Sequence, residues 1–409
     1  MGFFDGFKRS IDLQNYSGWN DILINSRSAT GINVNVDSSL KSATVKKCIS
    51  LRSETIASLP INLFQKTSNG KEISNLPLQT ILHTKPNPEM SSYNFREMLQ
   101  INLDFYGNAY CEIERDRAGR IISLWPLLSQ NMQVKRNDKK QIEYHYQVDG
   151  YEYILLKDKI FHIPGMGFDG LVGYPPLLMY REVIGGNLAT QEFGNKFFGN
   201  GAHIHGVLEH PGNLGKGDAR KNIEDSFQKM YSGLSNSHKV AVLEEGMQYK
   251  PLSIPNDQAQ FLESRSFSVV EICRIFNIPP HKVYELSRAT FSNIEEQNIE
   301  FVSDTILPIA ARWENNINCQ LLTDIERKKL FSKFMLQGLL RGKQKERTES
   351  YRINLMNGVM SPNDVRELED MNTYEGGDTY LVPLNMQNVK NIDKNIEIDN
   401  NISNGDNDE

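Results

Sequence analysis

The sequence lacks several features that would place the protein in a membrane or outside a cell. Its four cysteines, Cys48, Cys111, Cys273 and Cys319, lie far apart and form no CxxC pair, which predicts buried free thiols in a reducing compartment. No apolar run approaches the roughly 20 residues of a membrane span, and the first ten residues lack the apolar stretch of a signal peptide. We therefore expect a protein that works in the cytoplasm, or in an assembly built there.

An excess of positive charge is also missing. The chain has 45 Lys and Arg residues against 51 Asp and Glu residues, a net charge of −6. Tight phosphate binding needs many cations at the surface, so this balance argues against a protein that grips DNA through a broad basic face. It does not exclude a protein that lets DNA slide past.

Several motifs of nucleotide, metal and nucleophile chemistry are absent from the sequence. No GxxxxGK[ST], GxSxG or HExxH is present, and the glycines of residues 212–217 have the spacing of a turn. His203 and His205 would share one face of a strand near His210, but no cysteine or carboxylate pair completes a metal site. We predict no catalytic residue, no metal and no cofactor; an enzyme whose carboxylates leave no local motif remains the alternative.

The length of 409 residues suggests two to three domain-sized units with ample material for a core. Helical periodicity over 41–59 and 91–106 predicts two amphipathic helices, the first closed by Pro60. Alternating patterns after Gly107 predict an antiparallel sheet with helices on one side. The predicted strands are Ile61–Gln65, Tyr110–Glu114, Ile121–Trp125, Met132–Lys135, Ile142–Gln147, Tyr151–Leu156 and Ile160–Ile163, with a further strand at Leu330–Leu336.

A helix predicted over Leu177–Phe198 contains an unusual number of small residues. It follows a glycine-rich loop at 165–173 and a Pro-Pro pair that fits a first helical turn. Each mid-helix glycine costs about 1 kcal/mol relative to alanine, so we expect a neighbour to approach this helix closely; a merely weak helix is the alternative. The small residues are Gly185, Gly186, Ala189 and Gly194.

The rest of the chain predicts an insert, a second helix and one long helix. Residues 202–255 have a β-α-β pattern, and the following helix, 257–276, ends before Pro279 because the residue before a proline avoids helical geometry. The longest helical pattern, Ala289–Leu321, begins with a capping box at Ser292 and contains Pro308, which predicts a kink.

Several motifs, taken in order, resemble the portal proteins of tailed phages in the HK97-like group. The resemblance covers about residues 41–383. The motifs are CISLRSETIASLP at 48–60, GNAY at 107–110, LWPL at 124–127, GYPPL at 173–177, FFGNG at 197–201, FLESR at 261–265, RIFNIPP at 274–280, ATFSNIE at 289–295, GGD at 376–378 and LVP at 381–383.

The resemblance implies an α+β portal fold and a ring, typically of twelve subunits, at one capsid vertex. It implies a wing of antiparallel sheet plus helices, a helical stem, an α/β clip, a long kinked wing helix and a small helical crown. The implied parts are a flexible N-terminal arm at 1–40, wing at 41–172, stem helix at 173–201, clip at 202–256, stem helix at 257–280, tunnel loop at 281–292, wing again at 293–342, crown at 343–385 and a disordered acidic tail at 386–409.

The resemblance also implies sites and partners for a structural protein that is not an enzyme. Double-stranded DNA would pass through the channel without sequence specificity. The terminase large subunit, which hydrolyses ATP, and the head–tail connector would dock on the clip, with the major capsid protein or scaffold as a further partner, in virions assembled in the host cytoplasm. Two alternative functions remain: a nucleic-acid-processing hydrolase with an unrecognised carboxylate site, and a monomeric adaptor that binds proteins only. The implied sites are a DNA-facing tunnel loop of Lys282, Tyr284, Ser287, Arg288 and Thr290, a partner-binding clip surface of His205, Lys216, Lys221 and Lys239, and stem packing at Gly185, Gly186, Ala189 and Gly194.

Overall fold

The computed structural model describes residues 27–67, 70–199, 206–212, 221–222, 225, 246–251, 257–286, 297–336, 339, 344–369 and 371–380. The chain divides into two compact units, Met1–Leu336 and Gln337–Glu409. The helices are α1 (Val36–Ser39), α2 (Ala43–Ser58), α3 (Pro77–His83), α4 (Ser92–Tyr106), α5 (Pro176–Met179), α6 (Arg181–Gly199), α7 (Asp257–Phe276), α8 (Leu307–Gln320), α9 (Gln344–Met356) and α10 (Pro362–Leu368). The strands are β1 (Ile61–Thr67), β2 (Gly70–Ile73), β3 (Asn108–Arg115), β4 (Ile121–Leu127), β5 (Met132–Arg136), β6 (Ile142–Val148), β7 (Tyr151–Leu156), β8 (Ile160–Pro164), β9 (Gly206–Glu209), β10 (Gln248–Pro251) and β11 (Leu330–Phe334).

The two predicted N-terminal helices are confirmed as α2 and α4, which pack against each other. The side chains of Ser42 and Ser91 cap them by accepting hydrogen bonds from backbone N–H groups of the first turn. α4 ends at Gly107, whose φ of 71° is the left-handed conformation that favours glycine. The apolar residues that face this core, such as Val45 and Leu99, are completely buried.

The predicted strands are confirmed, but the single sheet expected from them is wrong. The strands form separate antiparallel sheets, with the orders β4-β3-β8, β5-β6-β7 and β11-β1-β2. Short 3-10 turns at Ser129–Asn131 and Lys157–Lys159 separate β4 from β5 and β7 from β8. Because these turns redirect the chain, the first two sheets face each other across a cluster that includes Tyr110 and Tyr144 and do not pair edge to edge.

Close backbone contacts explain three glycines of the loop region. A Cβ atom on Gly107 would lie 1.9 Å from the carbonyl oxygen of Tyr174, and one on Gly173 would lie 2.0 Å from the carbonyl oxygen of Gly107. The N–H of Gly165 donates to the Gly107 carbonyl at 2.7 Å. Asn108 joins the same crossing, because its side-chain amide donates to the Gly173 carbonyl and its Oδ1 accepts from the Gly173 N–H, both at 2.8 Å. Three passes of the chain therefore meet where only glycine fits.

The long C-terminal helix of the first unit is irregular just before its proline. Phe301–Ile306 is a π-helical stretch, and α8 follows with Pro308 in its first turn. A proline in the first turn of a helix lacks only an N–H that would have no partner within the helix. The irregularity predicted as a kink at Pro308 is therefore found before the proline, as a π-helical stretch. Trp313 of α8 is buried, lies edge-on to Phe334 and donates a hydrogen bond to the Gln100 Oε1 at 3.0 Å. The predicted cap at Ser292 lies outside the described residues.

Other boundaries differ from those expected. Residues 27–40 are packed and not a loose arm, since Val34 is completely buried and Ala29 N–H donates to the Glu182 carboxylate at 2.9 Å. The helix expected over Leu177–Phe198 consists of two helices, since α5 ends at Met179, Tyr180 is its C-cap, and α6 begins at Arg181. The exposed Cys319 is the exception to the predicted burial of the thiols; it lies two residues beyond buried Ile317 of α8 and so faces the opposite side of that helix.

The second unit contains α9 and α10. A capping box at Ser361 begins α10, in which the side chains of Ser361 and Asp364 each accept a backbone N–H. Buried Asn363 accepts the Tyr374 N–H at 3.0 Å and donates to Asp378 at 2.9 Å. These contacts hold the GGD segment against α10. Among the described residues of the chain, no helix has the length and apolarity to cross a membrane.

Candidate functional site

The segment after α7 is a compact turn tied to the π-helical stretch. Asn277 has a φ of 53°, its side chain donates to the carbonyl of Asp304 at 2.8 Å, and its own carbonyl accepts the hydroxyl of Thr305. A 3-10 turn at Pro280–Val283 follows and ends at Tyr284. The described beginning of the predicted tunnel loop is therefore anchored to the π-helical stretch that precedes α8.

Lys282 is held against this scaffold. Its side chain is partly buried, and its Nζ lies 5.1 Å from the ring centroid of Phe301. Burial, and then the nearby charge of Lys47, lowers the pKa of the Lys282 ammonium group. The cation is thus fixed in position by the ring beneath it.

Tyr284 is the most exposed side chain of the turn. Its ring is 80% exposed, and its φ of 64° is uncommon for a residue with a side chain. The Tyr284 N–H donates to the carbonyl of His281 at 3.1 Å, which closes the turn. The Nζ of Lys47, on α2, lies 5.8 Å from the ring centroid. Sequence reasoning missed Lys47, because only the packing of α2 against the turn brings it here.

A buried ion pair fixes the end of α7 from the other side. Arg52 of α2 pairs with Asp104 of α4 at 2.8 Å and donates to the carbonyl of Phe276 at 2.8 Å. Gln100 donates to the same carboxylate at 3.0 Å and accepts from Trp313 of α8. Burial raises the pKa of the Asp104 carboxyl, against the opposing charge of Arg52. The network joins α2, α4, α7 and α8 at the point where the turn begins.

The small residues of α6 have different surroundings. A Cβ on Gly185 would lie 2.3 Å from the Oγ of Ser28, so the close neighbour of this glycine is the N-terminal segment of the same chain. No described atom lies within 4 Å of a Cβ on Gly186. Gly194 is buried and Ala189 partly buried. Across the helix, Asn187 donates to Ser268 of α7 at 2.8 Å, which pairs the two predicted stem helices.

Several predicted site residues fall outside the described part of the chain. Lys221 is described and exposed. Of the insert, β9 pairs with β10 in an antiparallel ribbon, whereas residues 226–245 of the predicted β-α-β pattern lie outside the description. Within the described residues no group of three potential metal ligands occurs. The predicted site residues outside the description are Ser287, Arg288, Thr290, His205, Lys216 and Lys239.

The chain is similar to a family of known proteins over most of its length. The model of the family described as phage portal protein matches residues 43–370. The portal protein of Enterobacteria phage HK97 is 33% identical over 374 residues, which cover 90% of this chain and 88% of that protein.

Solved structures share the fold. A chain in the neck of the native gene transfer agent particle, computed with C12 symmetry, superposes with a TM-score of 0.56 at 20% identity, over 87% of this chain and 94% of that one. An HK97-family phage portal protein from Corynebacterium diphtheriae superposes with a TM-score of 0.58 at 17% identity, over 75% of this chain and 96% of that one.

Proposed function

Because the chain belongs to the phage portal protein family, we propose that copies of it form a ring at one vertex of a phage capsid and that DNA enters and leaves the capsid through this ring. The observation that carries the proposal is the 33% identity to the HK97 portal protein over 90% of this chain. The family is structural, and we assign the chain no catalytic role. The proposed location is the virion, after assembly in the host cytoplasm.

The described elements give each proposed part of the subunit a physical basis. The sheets and helices of 41–172, with 293–342, form the wing, and the hydrogen-bonded pair of α6 and α7 forms the stem. The antiparallel ribbon of β9 and β10 lies at the base of the clip, 202–256. The anchored turn after α7 begins the tunnel loop, 281–292. α9 and α10 belong to the crown, 343–385.

The subunit contacts of the ring are proposed to include the stem helices. The C12 symmetry of the gene transfer agent neck supports a ring of twelve copies. In such a ring each subunit uses two different surfaces, one for each neighbour. Gly186 leaves open space beside α6 within its own subunit, and a neighbouring stem helix approaches there. Ala189 and Gly194 extend this surface of small residues along the helix. The space beside Gly185 is already occupied by Ser28.

The charge balance suits a channel through which DNA slides. A net charge of −6 means that the chain has no excess of cations to hold phosphates in place. Lys282 and Tyr284 face the channel at the base of the tunnel loop, and the proposed contacts continue through Ser287, Arg288 and Thr290. Contacts to phosphate carry no sequence information, so passage is independent of sequence.

The clip is proposed to dock the terminase large subunit during packaging and the head–tail connector afterwards. The wing contacts the major capsid protein or scaffold. Exposed cations supply the charged part of the clip surface. The proposed residues are His205, Lys216, Lys221 and Lys239.

Native mass spectrometry of the purified full-length chain, with capsid protein added where the subunit alone stays monomeric, tests the proposal. We expect a closed species of twelve times the 46.7 kDa protomer. A chain that stays monomeric under both conditions and hydrolyses DNA or ATP would contradict the proposal and support the alternative of a nucleic-acid-processing hydrolase.

A further inference from the structure

Two lysines and an exposed tyrosine meet where α2 passes the turn after α7. Lys47 comes from the first turns of α2, and Lys282 and Tyr284 come from the turn. The sequence separates Lys47 from the other two by more than 230 residues, and nothing in the family match assigns it a role. The fold alone brings the three side chains together.

Both lysines lie at the same turn, because the Nζ of Lys47 lies over Tyr284 and Lys282 is two residues before Tyr284. The charge of Lys47 contributes to the lowered pKa of Lys282, after the effect of burial. Among the described residues, neither ammonium group forms an ion pair with a carboxylate. Like charges held together without a counterion are relieved by a bound anion.

Aromatic rings hold both cations in place. Lys282 lies over Phe301 and Lys47 over Tyr284, at 5.1 and 5.8 Å from the ring centroids. Tyr284 is exposed to solvent and has a left-handed backbone conformation. This conformation is energetically unfavourable for residues other than glycine. An exposed ring beside a lysine, in a turn that carries a second lysine, is the arrangement of a contact surface and not of a core.

We propose that Lys47 and Lys282 together bind one phosphate group of the DNA backbone, with the Tyr284 ring packed against the adjacent sugar. The inference rests on the proposed function, since the tunnel must carry DNA. It adds that a helix of the wing, and not the tunnel loop alone, contributes to the contact. Lys46, the next residue on α2, is exposed and has no part in the site.

Duplex binding by assembled rings of the full-length chain tests the site. Fluorescence anisotropy with a labelled duplex of about 30 base pairs, at several salt concentrations, gives both the Kd and its salt dependence. The variants are K47M and K282M, which remove the charge but keep the stem that packs on the ring. K46M is the matched control, because it removes the same charge from the same helix.

Every subunit of a variant ring carries the substitution, so each phosphate contact that is lost should raise the Kd about tenfold near 0.1 M salt and lower the salt slope by about 0.9. We expect this of K47M and K282M, and a Kd within about twofold of the parent for K46M. Equal effects of K46M and K47M, or an unchanged slope in K47M, would overturn the inference. If K47M unfolds at a lower temperature than the parent, K47R is the second variant to measure. Because arginine retains the positive charge, K47R must restore the salt slope of the parent.

The same measurement separates this inference from the proposed function. Parent rings that bind duplex DNA, together with a K47M variant that binds equally well, contradict only the site at Lys47. Parent rings that form but show no salt-dependent binding contradict the phosphate site and leave the ring in place, whereas a chain that forms no ring contradicts the proposed function.

Discussion

Gly185 and Gly186 are adjacent in α6, yet alanine should have opposite effects at the two positions. The new Cβ at Gly185 would lie 2.3 Å from the Oγ and 2.5 Å from the Cβ of Ser28. Ser28 is 5% exposed, and its hydroxyl is hydrogen-bonded to Thr30 and to the carbonyl of Ile32. It therefore cannot move aside without breaking this turn.

The magnitudes follow from two competing effects. Overpacking at Gly185 costs about 1–3 kcal/mol, and the better helix propensity of alanine returns about 1 kcal/mol. Gly185→Ala should therefore lower the free energy of unfolding by up to about 2 kcal/mol. At Gly186 no described atom is near the new methyl group, so Gly186→Ala should raise it by about 1 kcal/mol.

Urea unfolding of the unassembled subunit, followed by circular dichroism, measures both changes. The predicted order of midpoints is Gly186→Ala above the parent and Gly185→Ala at or below it. Equal shifts in the two variants would refute the assignment of Ser28 as the close neighbour. Native mass spectrometry then tests the stem contact, because Gly186→Ala should reduce the fraction of rings despite its greater stability. An unchanged ring fraction would remove Gly186 from the subunit interface.

Two further predictions concern buried polar groups. Burial lowers the pKa of His162 to about 3, so protonation of this histidine favours the unfolded state. The stability that the neutral His162 contributes is complete above the ordinary pKa of 6.5 and is lost as the pH falls toward 3. In denaturant unfolding, the free energy of unfolding of the parent should fall by about 2 kcal/mol from pH 6.5 to 5, and that of His162→Gln should not. Equal losses in the parent and the variant would contradict this prediction. Arg52→Met should cost about 3–5 kcal/mol by leaving Asp104 without its partner. A double-mutant cycle with Asp104→Asn should recover much of that loss, whereas additive losses would show that the pair is not coupled.

Local patterns were sufficient for most helices and strands. Alternation after Gly107 located the strands β3 to β8, and helical periodicity located α2 and α4, with Pro60 marking the end of α2. Sheet pairing was not predictable in the same way, because the short turns that separate the sheets act through tertiary packing. The π-helical stretch before Pro308 is another example, since its spacing of apolar residues does not differ from that of an ordinary helix.

The candidate site was only partly visible in the sequence. Lys282 was expected as part of the tunnel loop that the resemblance implies, but its contact with Phe301 depends on how α7 meets the long helix. Lys47 has no local signal, because it lies on an amphipathic helix beside another lysine, the exposed Lys46. The role of Gly185 was expected as close packing, but its neighbour, Ser28, belongs to a segment for which no order was predicted.

The most direct test is a reconstruction, without imposed symmetry, of particles assembled from this chain and its capsid protein. The account predicts a single vertex with a ring of this chain, whose turn at 280–286 and adjacent Lys47 line the channel around duplex DNA. A vertex without this chain, or a ring whose turn faces away from the channel, would contradict it.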